Sequence, residues 1–319
     1  MTPPQSMLDV GVLLTEDQLA GEFAAALARH ELPEKFFYWF PTSVRAWLDL
    51  CSDGAYRNFV RSRTLIDAHA AAIARQLSAA RVTVVSLGAG QGVKDRLVLE
   101  ALRLAGRAVA YVPVDASQSL LEMGCAAALA AGVAVRGVKA DLADGDHLRA
   151  IGEAAGAGPR LFMMLGNTLG AFDPPVCARQ LAGLLRAGDH LLVDGEVYDP
   201  SGTLAGYDNP LNRQFAFGPL RALGLTEPAD GVLAFEAAPE ADAHGVYRLR
   251  KSFQPARALT LSVAGETIRW PADRRVDMNW SGKYAPGAFL PLLEAAGLQP
   301  VARYVSADDR FEMALVRAS

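Results

Sequence analysis

Residues 82–115 read VTVVSLGAGQGVKDRLVLEALRLAGRAVAYVPVD. A short β-branched run, Val82 to Leu87, stops at the glycine loop Gly88 to Gly92. Beyond it Leu97, Leu99, Leu102 and Leu104 fall at the spacing of an amphipathic helix closed by Gly106, and Ala108 to Asp115 forms a second apolar run. Strand, glycine turn, helix and strand in that order make a crossover unit joining two parallel strands.

The same rhythm extends in both directions. Upstream, Ile66, Ala70, Ile73 and Leu77 recur at helical spacing between Ser62 and Ala79. Downstream, residues 116–132 read as a helix, 133–141 (VAVRGVKAD) as a third strand ending in an acid, and 146–158 as a loop and short helix. Residues 160–172 then read as a buried strand with a turn, 177–188 as a helix and 190–197 as another strand. Regular alternation from about 62 to 197 predicts an α/β fold with a doubly wound, mostly parallel sheet.

The rhythm breaks on both flanks. Residues 1–58 are aromatic-rich, with a dense patch from Phe36 to Phe40, and read as a helical cap. Residues 59–199 carry the alternating unit. Residues 200–285, with alternating runs such as VYRLRKSF and ALTLSVAGETIRW, read as an inserted α+β lobe with antiparallel strands. Residues 286–319 return to the sheet as helix, strand, polar loop and strand, a terminal antiparallel hairpin that the usual NAD-binding half lacks.

Composition narrows the function classes. The 319 residues are 51 % hydrophobic and 21 % charged, as expected of a packed globular chain. A formal net charge of −4 without any Lys/Arg-rich run argues against a nucleic-acid partner. The acidic N-terminal stretch does not read as a secretory signal, and no apolar run approaches the ~20 residues of a membrane span, so the expected setting is the cytoplasm with no membrane partner. Cys51, Cys125 and Cys177 are far apart and read as buried reduced thiols. The five histidines read as surface or helix positions. The number of subunits is left open.

Three strand ends carry the ligand signal. Gly88, Gly90 and Gly92 allow a tight turn and a close approach to a helix N-terminus, in a GxGxG spacing distinct from the dinucleotide GxGxxG. Asp115 ends the second strand, where a carboxylate accepts ribose hydroxyls or caps the next helix. Asp141 ends the third, where an acid can accept an exocyclic amine of adenine.

In this order and spacing the chain resembles the histidine-specific Nα-methyltransferases of ergothioneine biosynthesis, a class I S-adenosylmethionine family with an extra substrate lobe. The likeness runs from about Pro33 to Ala318 through PEKFFY, SLGAGQGVKDRLVLEAL, YVPVDAS, VKADLAD, LGNTLGAF, GDHLLVDGEVYD, AGYDNPLNRQFAF, SGKY and AAGL. The resemblance implies an S-adenosylmethionine cofactor contacted by Gly88, Lys94, Asp115 and Asp141, with Gly90 in the same corner. It implies a small-molecule acceptor walled by Tyr38, Tyr56 and Tyr207. Two positions depart from the family pattern. Gly170-Ala171 replaces a Gly-Asn whose amide grips the amino acid, leaving Asn167 as a stand-in or a turn residue. Asn279 replaces the glutamate that, with the serine kept here as Ser281, binds imidazole.

The expected reaction is therefore N-methylation of an amino acid or related amine other than histidine, with O-methylation of a phenol or carboxylate, or NAD-dependent oxidoreduction, as rivals. Tyr207, Asn167 and Glu196 are the candidates for handling the acceptor's proton, with Asp194 beside them. Glu196 reads equally as the buried partner of a Lys or Arg. No metal is called for.

Overall fold

The computed structural model describes residues 8–54 and 56–319. The N-terminal segment carries two short strands, β1 (Val10–Val12) and β2 (Glu31–Leu32), with helix α1 (Glu16–Ala28) between them. Helices α2 (Pro41–Ser52) and α3 (Arg57–Gln76) follow, then the alternating core: β3 (Arg81–Leu87), α4 (Val93–Leu104), β4 (Ala108–Asp115), α5 (Gln118–Ala130), β5 (Ala134–Val135), β6 (Gly137–Lys139), β7 (Arg160–Met164) and β8 (His190–Glu196). The lobe contributes β9 (Gly231–Ala237), β10 (Val246–Pro255), β11 (Leu259–Val263), β12 (Glu266–Trp270) and β13 (Val276–Tyr284), and the chain closes with β14 (Leu298–Val305) and β15 (Phe311–Ala318).

The main sheet runs β1-β6-β4-β3-β7-β8-β15-β14, with β5 also paired to β4. It is parallel from β1 to β8, and β15 enters antiparallel between β8 and β14. The inner strands are apolar on both faces because helices cover both. α3 and α4 bury Ile66, Ile73, Val98 and Leu102 against one face, while helices 145–154, 174–184 and 289–295 bury Ile151, Leu181 and Leu293 against the other. The α/β, doubly wound reading with a terminal antiparallel hairpin holds.

Several local readings change. The 1–58 segment is not wholly helical: β1 extends the main sheet beyond β6, and β2 pairs in parallel with β13. Strands of two or three residues have no periodicity to detect; their partners, far away in sequence, make them strands. The third strand divides into β5 and β6 around Arg136. In α4, Leu104 lies 82 % exposed while Val98 is buried, so the apolar stripe sits one step from the predicted one. His30 is buried in the turn after α1 with φ of 61°, and His190 is half-buried at the start of β8, so neither is a surface or helix position. The three cysteines are buried and free, and burial pushes Cys51 up to about 12, Cys125 to about 11 and Cys177 to about 12.

The lobe sheet β2-β13-β10-β9 attaches to the carboxyl edge of the main sheet, where Val197 bridges to Tyr284 and Tyr198 N–H donates to Tyr284 C=O at 2.7 Å. Its core is aromatic, with Phe23, Phe36, Phe37, Phe215, Phe253 and Trp270 from both the N-terminal segment and the lobe. At the amino end of β7, the Arg160 guanidinium donates to Asp189 at 2.5 and 3.0 Å and to the carbonyls of Gly152 and Leu184, with both side chains almost fully buried. Removing one partner of such a pair strands a buried charge. Asp189→Ala should lower the unfolding free energy by about 3–5 kcal/mol in urea titrations.

Candidate active site

A cavity of about 600 Å³ opens between the carboxyl edge of the main sheet and the lobe. At its sheet side the turn after β3 brings Gly88 and Gly90 to positive φ of 75° and 56°. A Cβ at Gly88 would press on Thr168 Cγ2 at 3.1 Å, so the bare backbone keeps this corner open. Asp115, at the tip of β4, accepts Gly90 N–H at 2.8 Å on one oxygen and Ser117 N–H at 2.9 Å on the other. Each oxygen keeps acceptor capacity beyond the bond it already holds. Burial raises this carboxyl above its ordinary range, against the pull of those N–H groups.

Asp141 follows β6 and also lines the cavity, with Lys35 Nζ at 2.5 Å on one oxygen and Ala143 N–H at 2.9 Å on the other. Burial alone would lower the Lys35 pKa, but the carboxylates of Asp141 and Glu22 overcome it and raise it. This ion pair fastens the N-terminal segment to the sheet edge. Lys94, in the first turn of α4, lies over the Phe59 ring and against Gly166, where any Cβ would collide with Nζ.

The turn after β7 is locked. Asp194 accepts Gly166 N–H at 2.6 Å, Asn167 N–H at 2.8 Å and Ser62 O–H at 2.5 Å, and is fully buried away from the cavity. Asn167, at φ 62°, ties two strands with its side-chain amide: its oxygen accepts Glu196 N–H of β8 at 2.9 Å, and its nitrogen donates to Ser281 Oγ and to Gly282 C=O of β13, each at 3.2 Å. Ala171 lines the cavity as a methyl group.

Behind Tyr207 lies a buried polar cluster. Lys283 Nζ donates to Glu196 at 2.7 Å, to Tyr207 Oη at 2.6 Å and to Ser281 Oγ at 2.9 Å, while Asn58 donates to Glu196 at 2.6 Å and to Tyr207 Oη at 3.1 Å. Asn58 and Ser62 share a face of α3 at i and i+4, so one helix supports both β8 acids. Tyr207 and Ser281 reach the main cavity; Glu196 stands behind them. Burial would lower the Lys283 pKa, but Glu196 and Tyr207 raise it above the lysine value.

On the lobe side the cavity is walled by Tyr38, Tyr56, Trp47 and Phe215, whose rings meet edge-on or tilted at centroid distances of 5.2–5.6 Å. Tyr38 donates to Glu34 at 3.0 Å, and Asn279 Nδ2 donates to the other Glu34 oxygen, leaving Asn279 Oδ1 buried without a donor among the described residues. Burial raises the Glu34 carboxyl above its ordinary range, against Lys251 and Tyr38.

The structure thus gathers Gly88, Gly90, Lys94, Asp115, Asp141, Tyr38, Tyr56, Asn167, Tyr207, Asn279 and Ser281 around one cavity. Glu34, Lys251, Lys283 and Asn58 were not singled out from the sequence. Glu34 and Lys283 lie inside quoted blocks, PEKFFY and SGKY, and Lys251 shares a strand face with Leu249 and Phe253, so a charge on an apolar face was the available signal.

The family model described as a histidine-specific, S-adenosylmethionine-dependent methyltransferase matches residues 19–318. The chain belongs to that family. Histidine N-alpha-methyltransferase of Mycobacterium tuberculosis is 36 % identical over 132 residues, so the chain matches about two fifths of that relative's length. N-methyltransferase imqF of Aspergillus flavus is 24 % identical over 321 residues, covering 93 % of this chain and 84 % of the relative. Among solved structures, an S-adenosylmethionine-dependent methyltransferase from Clostridium acetobutylicum aligns with a TM-score of 0.43 at 13 % identity, covering 84 % of this chain and 94 % of that one.

This protein therefore groups with methyltransferases described as S-adenosylmethionine-dependent. Its cavity fits the cofactor on two counts: a corner that a side chain at Gly88 would fill, and a buried carboxylate at Asp115 with acceptor capacity to spare.

The Lys283–Glu196 pair sets a pH dependence. A lysine whose folded pKa is raised contributes stability that is fully present below the ordinary value of 10.5 and lost as the pH rises through the folded value. Glu196→Gln should destabilise by about 3 kcal/mol at neutral pH, and the gap to the parent should narrow above pH 10.5 in urea titrations followed by tryptophan fluorescence.

Proposed function

We propose that this methyltransferase N-methylates an amino acid or an amino-acid-derived amine other than histidine. The observation that carries the reading is the pair of departures in the acceptor site. Ala171 offers a methyl group where the family resemblance places an amide, and Asn279 offers an amide where it places a carboxylate. Glu34, the carboxylate that Asn279 meets, already accepts from Tyr38 and Asn279. A ring N–H of histidine would have to compete for it. Support for nitrogen as the acceptor atom comes from relatives whose names are N-methyltransferases.

S-adenosylmethionine supplies an electrophilic methyl group on a positively charged sulfur. In this reading Asp115 accepts the ribose hydroxyls, Gly88 and Gly90 give the backbone room to approach, Asp141 and the Lys35 bound to it close the adenine end, and Lys94 completes the corner. The protein's task in an in-line displacement is alignment and exclusion of water. Tyr56, Trp47 and Phe215 supply an apolar wall that disfavours the ammonium form of an amine and so favours the lone pair the reaction needs. Tyr207 Oη accepts from Lys283 and Asn58, so its own O–H is directed to the acceptor. Ser281 Oγ likewise accepts from Lys283 and Asn167, leaving its O–H to the acceptor. Glu196 and Asn167 act as positioning residues, the first through Lys283 and Asn58, the second through Ser281 and the strand ends.

Residues 1–58 and 200–285 together make the acceptor lobe in this reading, supported by the pairing of β2 with β13 and by their shared aromatic core. Residues 59–199 and 286–319 form the cofactor unit, supported by the main sheet to which both contribute and which β1 of the N-terminal segment extends.

Turnover of labelled S-adenosylmethionine against amino acids, derived amines and phenols tests the reading: amines other than histidine should be methylated. Histidine as the best acceptor, or phenols alone, would contradict it. Asp115→Ala should weaken S-adenosylmethionine binding at least about tenfold by calorimetry. Tyr207→Phe should lower kcat with the cofactor Kd held within about twofold.

A further inference from the structure

Lys251 stands on β10 and is only 6 % exposed, yet it lines the cavity. Its Nζ donates no hydrogen bond and forms no ion pair among the described residues. Three aromatic rings surround it, Phe37 at 5.3 Å, Phe215 at 5.8 Å and Tyr207 at 5.9 Å from Nζ to the ring centroid. The strand is built to aim it there. Arg250 pairs with Trp280 and Ser252 with Asp277, so a bulge sets Met278 and Asn279 opposite the single residue Lys251.

A buried ammonium is costly unless paired, and ring faces compensate it only in part. Its N–H groups are all unspent and open to the cavity, which asks for an anionic oxygen group from the ligand. Burial lowers the Lys251 pKa, and the Glu34 carboxyl opposes that fall, as a negatively charged ligand group would. At the sheet edge Ala171 offers no side-chain polar group to a carboxylate adjoining the amine. The rings of Tyr38, Trp47 and Phe215, with centroids 5.2–5.3 Å apart, wall the cavity beside Lys251.

We propose that Lys251 anchors a carboxylate at the end of the acceptor remote from the amine, so that the preferred substrates are amines joined to a carboxylate through a flat apolar spacer. This rests on the N-methylation reading for the amine and adds the specificity-determining residue and the acceptor class.

The test compares kcat/KM for 4-(2-aminoethyl)benzoate with that for its uncharged methyl ester, in the parent, Lys251→Met and Lys251→Gln. The parent should favour the acid at least about tenfold, and both variants should lose that preference through KM, with S-adenosylmethionine affinity kept within about twofold. Methionine matches the lysine stem inside a ring cage, and near-UV circular dichroism of both variants checks that the cage is intact. A parent that favours the ester, or a preference unchanged in folded variants, overturns the proposal. A second arm separates this from the amine reading: calorimetry of 4-ethylbenzoate against enzyme saturated with S-adenosylhomocysteine. Binding at least about tenfold weaker in Lys251→Met, with no amine turned over by the parent, keeps Lys251 as the anion anchor and discards N-methylation. Equal binding in both proteins overturns the anchor whatever the turnover shows.

Discussion

The Lys283 ammonium, fully buried at the end of β13, donates at once to Glu196 on β8, to Tyr207 and to Ser281. Through the bond to Glu196 the lobe strand is fixed to the carboxyl edge of the parallel sheet, and the other two bonds hold Tyr207 and Ser281 against it. Asn167 repeats the connection from the turn after β7, bonding β8 with its oxygen and β13 with its nitrogen. Taking this charge out of water is costly, and all three N–H groups of Lys283 are used to offset it. The acceptor wall therefore cannot drift from the corner at Gly88 and Asp115 without stranding a buried charge.

The family's architecture and the chain's own departures play different parts in this arrangement. In the proposed reading the glycine corner, the acids at the strand tips and the β8–β13 cluster define where a methyl group is delivered. The far wall is rewritten: Asn279 reaches Glu34, a carboxylate lent by the N-terminal segment, and Lys251 stands among rings beside it. In the proposed reading these groups decide which acceptor fits, apart from the corner where the methyl group is delivered.

The alternation from Val82 to Val197 carried the sheet, because parallel strands buried on both faces read as continuous apolar runs and their crossovers as amphipathic helices. Asp115 and the glycines were legible for a related reason: in such sheets ligands sit outside the carboxyl ends of strands. β1 and β2 were not, since strands this short exist only through β6 and β13. Glu196 was legible as an acid at a strand end but not as the partner of Lys283, which is 87 residues further along a strand of another sheet. Lys251 was hidden inside the alternating run VYRLRKSF, although its neighbours on the same face, Leu249 and Phe253, are buried.

The central claim is that the adenosine of S-adenosylmethionine lies in the corner framed by Gly88, Asp115 and Asp141, with the acceptor between Tyr207 and the lobe. A crystal structure with S-adenosylhomocysteine tests it most directly. The account predicts ribose oxygens on the Asp115 carboxylate and adenine beside Asp141; electron density for the nucleoside anywhere else in the chain would contradict it.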